Sequence, residues 1–173
     1  VLEVPENRNN PSSRTLKLVY KVLKAKKNDS TKTPVVFLQG GPGVATLITE
    51  EFWANHPLRN DRDIVLMDQR GTGESQANCS HMGEELFKVM GQDYNIEEDY
   101  EATKIILAKC KKSIQKKGVD LEGYNSRENA TDFEDLRKAL GIKKWNLYGV
   151  SYGSRLGLTI MRDFPENVRS AIL

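Results

Sequence analysis

The sequence predicts an α/β fold with a mostly parallel sheet and an antiparallel hairpin at the N-terminus. Residues 35–38 (VVFL) and 64–67 (IVLM) are unbroken apolar runs, which are typical of strands buried on both faces. A helical stretch at residues 45–58 separates them. A third strand at 145–148, a helix at 152–164 and the start of another strand at 168–173 continue the pattern. Such alternation of strand and helix is expected around a parallel sheet.

The N-terminal hairpin is predicted from a change in periodicity. From Thr15 to Val22 apolar residues occupy every second position, so one face is expected to be buried and the other solvated. A turn-rich segment at residues 5–13 precedes this run and contains two Pro, three Asn and two Ser. Antiparallel pairing is therefore expected here, because a sheet with one solvated face is usually antiparallel.

Residues 76–124 interrupt the alternation and predict a helical insertion within one domain that spans residues 1–173. Asn95 and Glu98 have the spacing of a capping box, and Gly118 follows the expected end of a helix of about 20 residues. Six Lys lie between residues 104 and 117, after an acidic helix start. This polarity suits the helix macrodipole and favours a solvated helix over a polyanion site. A second helix is predicted from about residue 125 to Gly141.

The composition argues against two classes of partner. The 173 residues include 26 Lys and Arg and 24 Asp and Glu. The resulting formal net charge of +2 is too small to indicate nucleic-acid binding. The longest apolar runs contain four residues, whereas a membrane-spanning helix needs roughly 20. We therefore expect no nucleic-acid partner and no membrane span.

The two cysteines, Cys79 and Cys110, have no partners at metal-ligand spacing, so no metal site and no cofactor is predicted. Two interpretations remain open from the residues alone. The pair could form a disulfide, which would place the protein outside the cytosol, or the two could be unrelated buried thiols.

A G-x-S-x-G motif occupies residues 149–153, between a predicted strand and a predicted helix, and is named here the serine turn. A serine nucleophile stands on such a sharp turn, and Gly149 and Gly153 would leave room for the chain to pack there. Ser151 is thus the candidate nucleophile, and the alternative is a serine in an ordinary turn flanked by glycines. The N–H of Tyr152, at the start of the following helix, is a candidate donor to an oxyanion.

A glycine loop, defined as residues 39–43 (QGGPG), follows the first buried strand directly. Small residues at this position allow backbone N–H groups to approach an oxyanion, and an N–H near Gly41 is the candidate donor. A phosphate-binding loop is the competing interpretation, but the Gly-Lys-Ser/Thr of a P-loop and the spacing of a dinucleotide fingerprint are absent.

The DQRGTGES turn, residues 68–75, follows the second buried strand. Asp68 and Arg70 could be catalytic charges in a cleft. The interpretation we favour is structural, in which the two pair with each other or with the backbone to hold a turn that bends at its glycines.

Taken in order, GGPG, DQRGTGES, GVSYG and the ending FPENVRSAIL resemble α/β-hydrolases of the prolyl aminopeptidase group, especially its tripeptidyl-aminopeptidase-like branch. The resemblance covers almost the whole chain. It implies an α/β-hydrolase fold, Ser151 as nucleophile, Tyr152 and Gly41 as oxyanion donors, and a secreted or periplasmic aminopeptidase acting on peptides. It also implies a disulfide between Cys79 and Cys110. Gln39 departs from the group, in which many members carry His at this position.

The triad acid and base are not evident. In this fold the chain order is Ser, then Asp or Glu, then His, but only 22 residues follow Ser151 and none is His. His56 and His81 both precede the serine, and Asp163 lies at the far end of the following helix. We therefore expect an N-terminal part of a hydrolase, starting at Val1 as a processed or excised piece and truncated in the strand after this helix. Its partner would be the missing C-terminal segment, without which it would be inactive.

Two other functions remain compatible with the motifs. An esterase or lipase would use the same nucleophile and oxyanion donors, since fold alone does not choose the acyl substrate. A non-catalytic binding module could also use this scaffold, with Ser151 unreactive.

Overall fold

The computed structural model describes residues 1–27, 32–75, 79 and 81–173. The strands of the described residues are β1 (Leu2–Pro5), β2 (Thr15–Leu18), β3 (Tyr20–Leu23), β4 (Val35–Leu38), β5 (Ile64–Met67), β6 (Trp145–Gly149) and β7 (Val168–Ile172). The α-helices are α1 (Glu50–Asn55), α2 (Met82–Met90), α3 (Ile96–Lys116), α4 (Ser126–Ala139) and α5 (Tyr152–Asp163). Short 3₁₀ helices cover Leu47–Thr49, Pro57–Asn60, Leu121–Gly123 and Pro165–Asn167. The chain divides into two units, one made of Val1–Gln76 and Glu122–Leu173, the other of Ala77–Leu121.

The main sheet of the first unit has the strand order β3-β5-β4-β6-β7. Strands β5, β4, β6 and β7 are parallel, and β3 is an antiparallel edge strand paired with β5. Every residue of β4 and β5 is buried, as their unbroken apolar sequences predicted. The predicted α/β fold with a mostly parallel sheet is confirmed.

The alternating N-terminal run divides between two sheets, which is a refinement of the predicted hairpin. Strand β2 pairs antiparallel with β1 in a separate two-stranded sheet, whereas β3 joins the main sheet. The break falls at Val19, whose N–H donates to Ser75 Oγ and whose carbonyl accepts the N–H of Asp68. These bonds join Val19 to Asp68 and Ser75 of the DQRGTGES turn, at the point where the chain passes from one sheet to the other.

The helix predicted at residues 45–58 is instead three short pieces, a 3₁₀ turn, α1 and a second 3₁₀ turn. His56 separates α1 from the second turn with φ −67° and ψ 138°, an extended conformation. A residue that precedes proline is pushed out of the helical region, and Pro57 follows His56 directly. The predicted helical stretch is therefore present, but it is interrupted at His56.

Side chains on the two faces of the main sheet form two apolar clusters. One face packs against α4 and α5, through residues that include Phe133, Leu136, Leu156 and Ile160. The other face contributes Val35, Phe37, Ile64 and Leu66, which pack with Trp53 of α1. The helix predicted from about residue 125 is α4, with Asn125 as its N-cap, and its apolar positions face the core as expected.

The second unit contains α2 and α3. The capping box of α3 is present, since the Asn95 side chain accepts from the N–H of Glu98 and the Glu98 side chain accepts from the N–H of Asn95. Cys79 and Cys110 form a disulfide with their Cα atoms 6.0 Å apart. Helix α2 was not predicted from the sequence, and the predicted start of the insertion at residue 76 lies outside the described residues. That the insertion and the rest of the chain form one domain stays a prediction. None of the described helices has the length and apolar character needed to cross a bilayer.

Candidate active site

The strand order predicts a crevice at the carboxyl ends of β4 and β6. From β4 the chain crosses to β5 on one side, and from β6 it crosses to β7 on the opposite side. Adjacent parallel strands whose connections leave in opposite directions open a crevice where ligands bind in α/β proteins. The glycine loop follows β4 and the serine turn follows β6, so the two motifs meet at this point.

Ser151 has a backbone conformation that non-glycine residues rarely adopt. Its φ is 55° and its ψ is −121°, and among the described residues it alone combines a side chain with a positive φ. A conformation of this kind costs on the order of 1–3 kcal/mol and persists only where the surroundings enforce it. The residue is exposed and lies directly before α5, so the strained turn presents its side chain to solvent.

The two glycines of the serine turn are needed for close packing. A Cβ at Gly153 would lie 1.9 Å from the carbonyl oxygen of Leu38, the last residue of β4. A Cβ at Gly149 would lie 2.7 Å from the carbonyl oxygen of Gly153. The absence of side chains therefore lets α5 begin against the end of β4, as the motif predicted.

The glycine loop lies beside Ser151. A Cβ at Gly40 would be 3.0 Å from Ser151 Cβ and 3.5 Å from Ser151 Oγ. The N–H of Gly40 donates to Gln39 Oε1 at 2.9 Å, which leaves the N–H of Gly41 as the next amide of the loop. On the other side, Tyr152 is the first residue of α5, where backbone N–H groups have no partner within the helix. The structure thus brings Ser151 and Tyr152 to the glycine loop, which reaches Ser151 through Gly40, the neighbour of Gly41. The catalytic roles of Ser151, Tyr152 and Gly41 stay predictions.

Asp68 has a structural role in the DQRGTGES turn. Its Oδ1 accepts the N–H groups of Thr46 and Leu47 at 2.6 and 2.9 Å, and its Oδ2 accepts that of Glu74 at 3.0 Å. The residue is 1% exposed. Three backbone donors therefore hold the carboxylate, and the structural interpretation holds for Asp68.

Arg70 is also buried and bonded, although not to Asp68. Its guanidinium forms a bidentate pair with Asp132 of α4, with both N···O distances 2.7 Å, and it donates to the carbonyls of Glu6 and Gly123. Burial raises the pKa of the Asp132 carboxyl, and the guanidinium groups of Arg70 and Arg8 oppose this shift. Of the two predicted pairings, the one between Asp68 and Arg70 was wrong and the one with the backbone is confirmed.

Neither histidine of the chain is hydrogen-bonded to Ser151 within the described residues. His56 packs against the rings of Phe52 and Trp53, and its Nδ1 accepts the N–H of Leu58. His81 precedes α2 in the second unit. Asp163 pairs with Arg162, which lowers the pKa of Asp163, and it ends a helix that rises about 1.5 Å per residue away from Ser151. Within the described ranges, no group of three or more His, Cys, Asp or Glu residues is arranged to hold a metal ion.

Sequence reasoning missed three polar residues close to these motifs. The Tyr152 hydroxyl lies 3.0 Å from Oγ of Ser126, at the start of α4. Gln69 donates from Nε2 to the Gln39 carbonyl at 2.9 Å and accepts from Asn129 Nδ2 at 2.6 Å. The only signal in the sequence was the position of Gln69 directly after Asp68, at the end of a buried strand.

Comparison with known proteins gives consistent results. A family model described as alpha/beta hydrolase fold matches residues 33–173. The chain is 30% identical over 149 residues to a tripeptidyl aminopeptidase of Streptomyces lividans, covering 80% of the chain and 27% of that protein. It is 29% identical over 146 residues to putative hydrolase YuaR of Escherichia coli (strain K12), covering 82% and 27% respectively.

Among solved structures, the chain is similar to a proline iminopeptidase of Mycobacterium smegmatis. The TM-score is 0.57 and the identity 19%, and the match covers 98% of this chain and 42% of that one. The chain thus spans well under half the length of these relatives. The solved structure shows the same fold, and the family model and the sequence relatives confirm the resemblance predicted from the ordered motifs.

Proposed function

Because the chain belongs to the α/β-hydrolase fold family, we propose that the protein containing it is a serine hydrolase with Ser151 as its nucleophile. The observation that carries this proposal is the exposed, positive-φ serine that faces the glycine loop at the crevice. A nucleophilic serine in acyl transfer needs a strained backbone that presents its hydroxyl beside backbone donors. Packing alone gives no reason for a non-glycine residue to adopt this strained conformation.

The chemistry assigned to the site is acyl transfer. Ser151 Oγ attacks the substrate carbonyl while its proton passes to a base, and a C–O bond forms as the carbonyl oxygen becomes an oxyanion. The N–H groups of Tyr152 and Gly41 bind that oxyanion, and the positive end of α5 adds to its stabilisation. The C–N bond then breaks, the amine leaves with the proton held by the base, and water hydrolyses the acyl-enzyme.

The base and its orienting acid are proposed to come from outside these 173 residues. No histidine follows Ser151 in this sequence, whereas in the family fold both groups come after the nucleophile in chain order. A serine hydroxyl without a base is a weak nucleophile. The 173-residue chain alone is therefore proposed to be inactive until a C-terminal segment of the same protein joins it.

The substrate is proposed to be a peptide cleaved near its free N-terminus. The support is the names of the relatives, which include tripeptidyl aminopeptidase and proline iminopeptidase. A secreted or periplasmic location is proposed because the Cys79–Cys110 disulfide suits an oxidising compartment.

The test compares Ser151→Ala with Ser113→Ala, an exposed serine of α3, in the complete gene product. Hydrolysis of tripeptidyl and aminoacyl p-nitroanilides is measured beside that of p-nitrophenyl butyrate. Ser151→Ala is expected to lower kcat by about 10⁴ to 10⁶, and Ser113→Ala to leave it unchanged. Hydrolysis of the ester alone would favour an esterase. No hydrolysis and no labelling of Ser151 by a fluorophosphonate would favour a non-catalytic binding module.

The source of the base has a separate test. The 173-residue chain is assayed alone and after mixing with the C-terminal segment, and activity is expected only in the mixture. Enzyme-like turnover by the isolated chain, abolished by Ser151→Ala, would mean that the base lies within these residues. His56 and His81 would then be the groups to mutate.

A further inference from the structure

We propose that Gln69 is a positioning residue for catalysis, because it holds the first peptide unit of the glycine loop in one orientation. The proposal rests on the proposed function, since it assumes that this loop supplies an oxyanion donor.

Both polar ends of one peptide unit are bonded by glutamine side chains. The carbonyl of Gln39 accepts from Gln69 Nε2 at 2.9 Å. The N–H of Gly40, which belongs to the same planar unit, donates to Gln39 Oε1 at 2.9 Å. Because a peptide unit is planar, fixing its carbonyl and its N–H fixes the orientation of the whole plane.

Gln69 is itself held from the opposite side. Its side-chain carbonyl accepts from Asn129 Nδ2 at 2.6 Å, and Asn129 lies on α4 beside Ala130, which is fully buried. Gln69 and Asn129 are 2% and 5% exposed. Breaking the bond between the two amides would leave Gln69 Oε1 and Asn129 Nδ2 buried without a partner, so we expect the connection from α4 through Gln69 to the loop to keep one geometry.

The fixed peptide directs the amide that follows it. The N–H of Gly40 is occupied by Gln39, so the loop's next available donor is the N–H of Gly41. A rotation of the peptide between Gln39 and Gly40 would change the direction of the Gly41 N–H, because only Gly40 lies between them. Gly40 is next to Ser151, since a Cβ built on it would lie 3.0 Å from Ser151 Cβ. Gln69 thereby acts through the loop and does not touch the substrate.

Loss of this bond is expected to impair the transition state more than substrate binding. Preorganised donors stabilise the oxyanion, and removal of one donor lowers kcat by about 10²- to 10³-fold. A donor that is still present but misoriented should lower kcat by less than its removal would. We therefore expect Gln69→Met to lower kcat by about 10- to 100-fold and to leave KM within about twofold of the unsubstituted value.

The experiment uses the complete gene product. It measures the melting temperature, and it measures kcat and KM with whichever p-nitroanilide or p-nitrophenyl ester the unsubstituted protein hydrolyses fastest. Gln69→Met removes both amide bonds, while Gln69→Glu, when ionised, keeps an acceptor for Asn129 and puts a negatively charged oxygen beside the Gln39 carbonyl in place of the donor. Both should lower kcat, Gln69→Glu at least as much as Gln69→Met. Val4→Ala, a buried substitution in the separate two-stranded sheet, controls for lost stability. It should lower the melting temperature and leave kcat unchanged.

A second variant covers the case in which Gln69→Met does not fold. Gln39→Met removes the acceptor for the Gly40 N–H from a partly exposed side chain, and it should lower kcat in the same way. Variants that lose stability but keep kcat would overturn the positioning role. If they do so while Ser151→Ala abolishes activity, the proposed function stands and only the role of Gln69 fails. Activity that persists in Ser151→Ala would overturn both.

Discussion

The serine turn and the DQRGTGES turn follow parallel strands of the same sheet, yet they use their polar side chains in opposite ways. In the DQRGTGES turn, Asp68, Gln69 and Arg70 are all nearly fully buried, and each makes at least two hydrogen bonds. In the serine turn, Ser151 is exposed on a strained backbone. The same end of the sheet therefore holds buried, hydrogen-bonded polar groups and an exposed serine side by side.

The difference shows how one turn depends on the other. Gln69 extends from the DQRGTGES turn to the glycine loop, which in turn contacts Ser151. Buried polar groups keep their partners because leaving one unpaired is costly, so they supply fixed geometry. An exposed hydroxyl has no such constraint and remains available to a substrate. Substitutions in the two turns should accordingly separate stability from activity.

The largest effect on stability is expected from Arg70→Met. This change leaves Asp132 with one guanidinium partner fewer and removes the hydrogen bonds that Arg70 donates to the carbonyls of Glu6 and Gly123. Breaking a buried ion pair from one side costs about 3–5 kcal/mol of unfolding free energy, which urea denaturation would measure. Arg155→Met, at an exposed position of α5, is the control and should change stability by less than about 0.5 kcal/mol. Equal stabilities for the two variants would refute the structural role of Arg70.

A smaller loss is expected from Gly153→Ala. The added Cβ would meet the Leu38 carbonyl at 1.9 Å, so α5 must move away from β4, at a cost of about 2–3 kcal/mol. Gly83→Ala in α2 is the matched control, because a Cβ there meets no atom within 4 Å. It should stabilise its helix by up to about 1 kcal/mol. Relative to the unsubstituted protein, the melting temperature should fall for Gly153→Ala and rise for Gly83→Ala. An unchanged melting temperature for Gly153→Ala would contradict the close packing at Gly153.

The smallest effect, and one of opposite sign, is expected from Ser151→Gly. Glycine adopts a positive φ without strain, so the variant should gain about 1 kcal/mol of unfolding free energy while it loses hydrolytic activity. Ser154→Gly, three residues later inside α5, should instead lose about 0.5–1 kcal/mol, because glycine is the weaker helix former and the hydroxyl no longer donates to the Gly149 carbonyl. A destabilised Ser151→Gly would indicate that the serine side chain contributes to folding, which would weaken its assignment as a nucleophile held under strain.

Much of the fold and the position of the candidate site could be predicted from sequence because the signals are local. The apolar runs of β4 and β5 and the capping box of α3 depend on residues only a few positions apart. The motif around Ser151 is equally local, since the turn needs small residues within two positions of the serine. Helix α2 escaped prediction because its signals are weak, with Gly83 in its first turn and no side-chain cap from His81.

The sequence by itself determined which segments become buried strands and which serine lies on a strained turn. The tertiary structure decided which distant groups meet. Arg70 pairs with Asp132, 62 residues later in the sequence, and Gln69 pairs with Asn129, 60 residues later. No local sequence pattern indicates either pairing. It also decided that the alternating N-terminal run divides between two sheets at Val19, which is hydrogen-bonded to Asp68 and Ser75. The physical reason is that periodicity and capping act within a few residues, whereas partners for buried polar groups depend on strand order and on which helix covers which face.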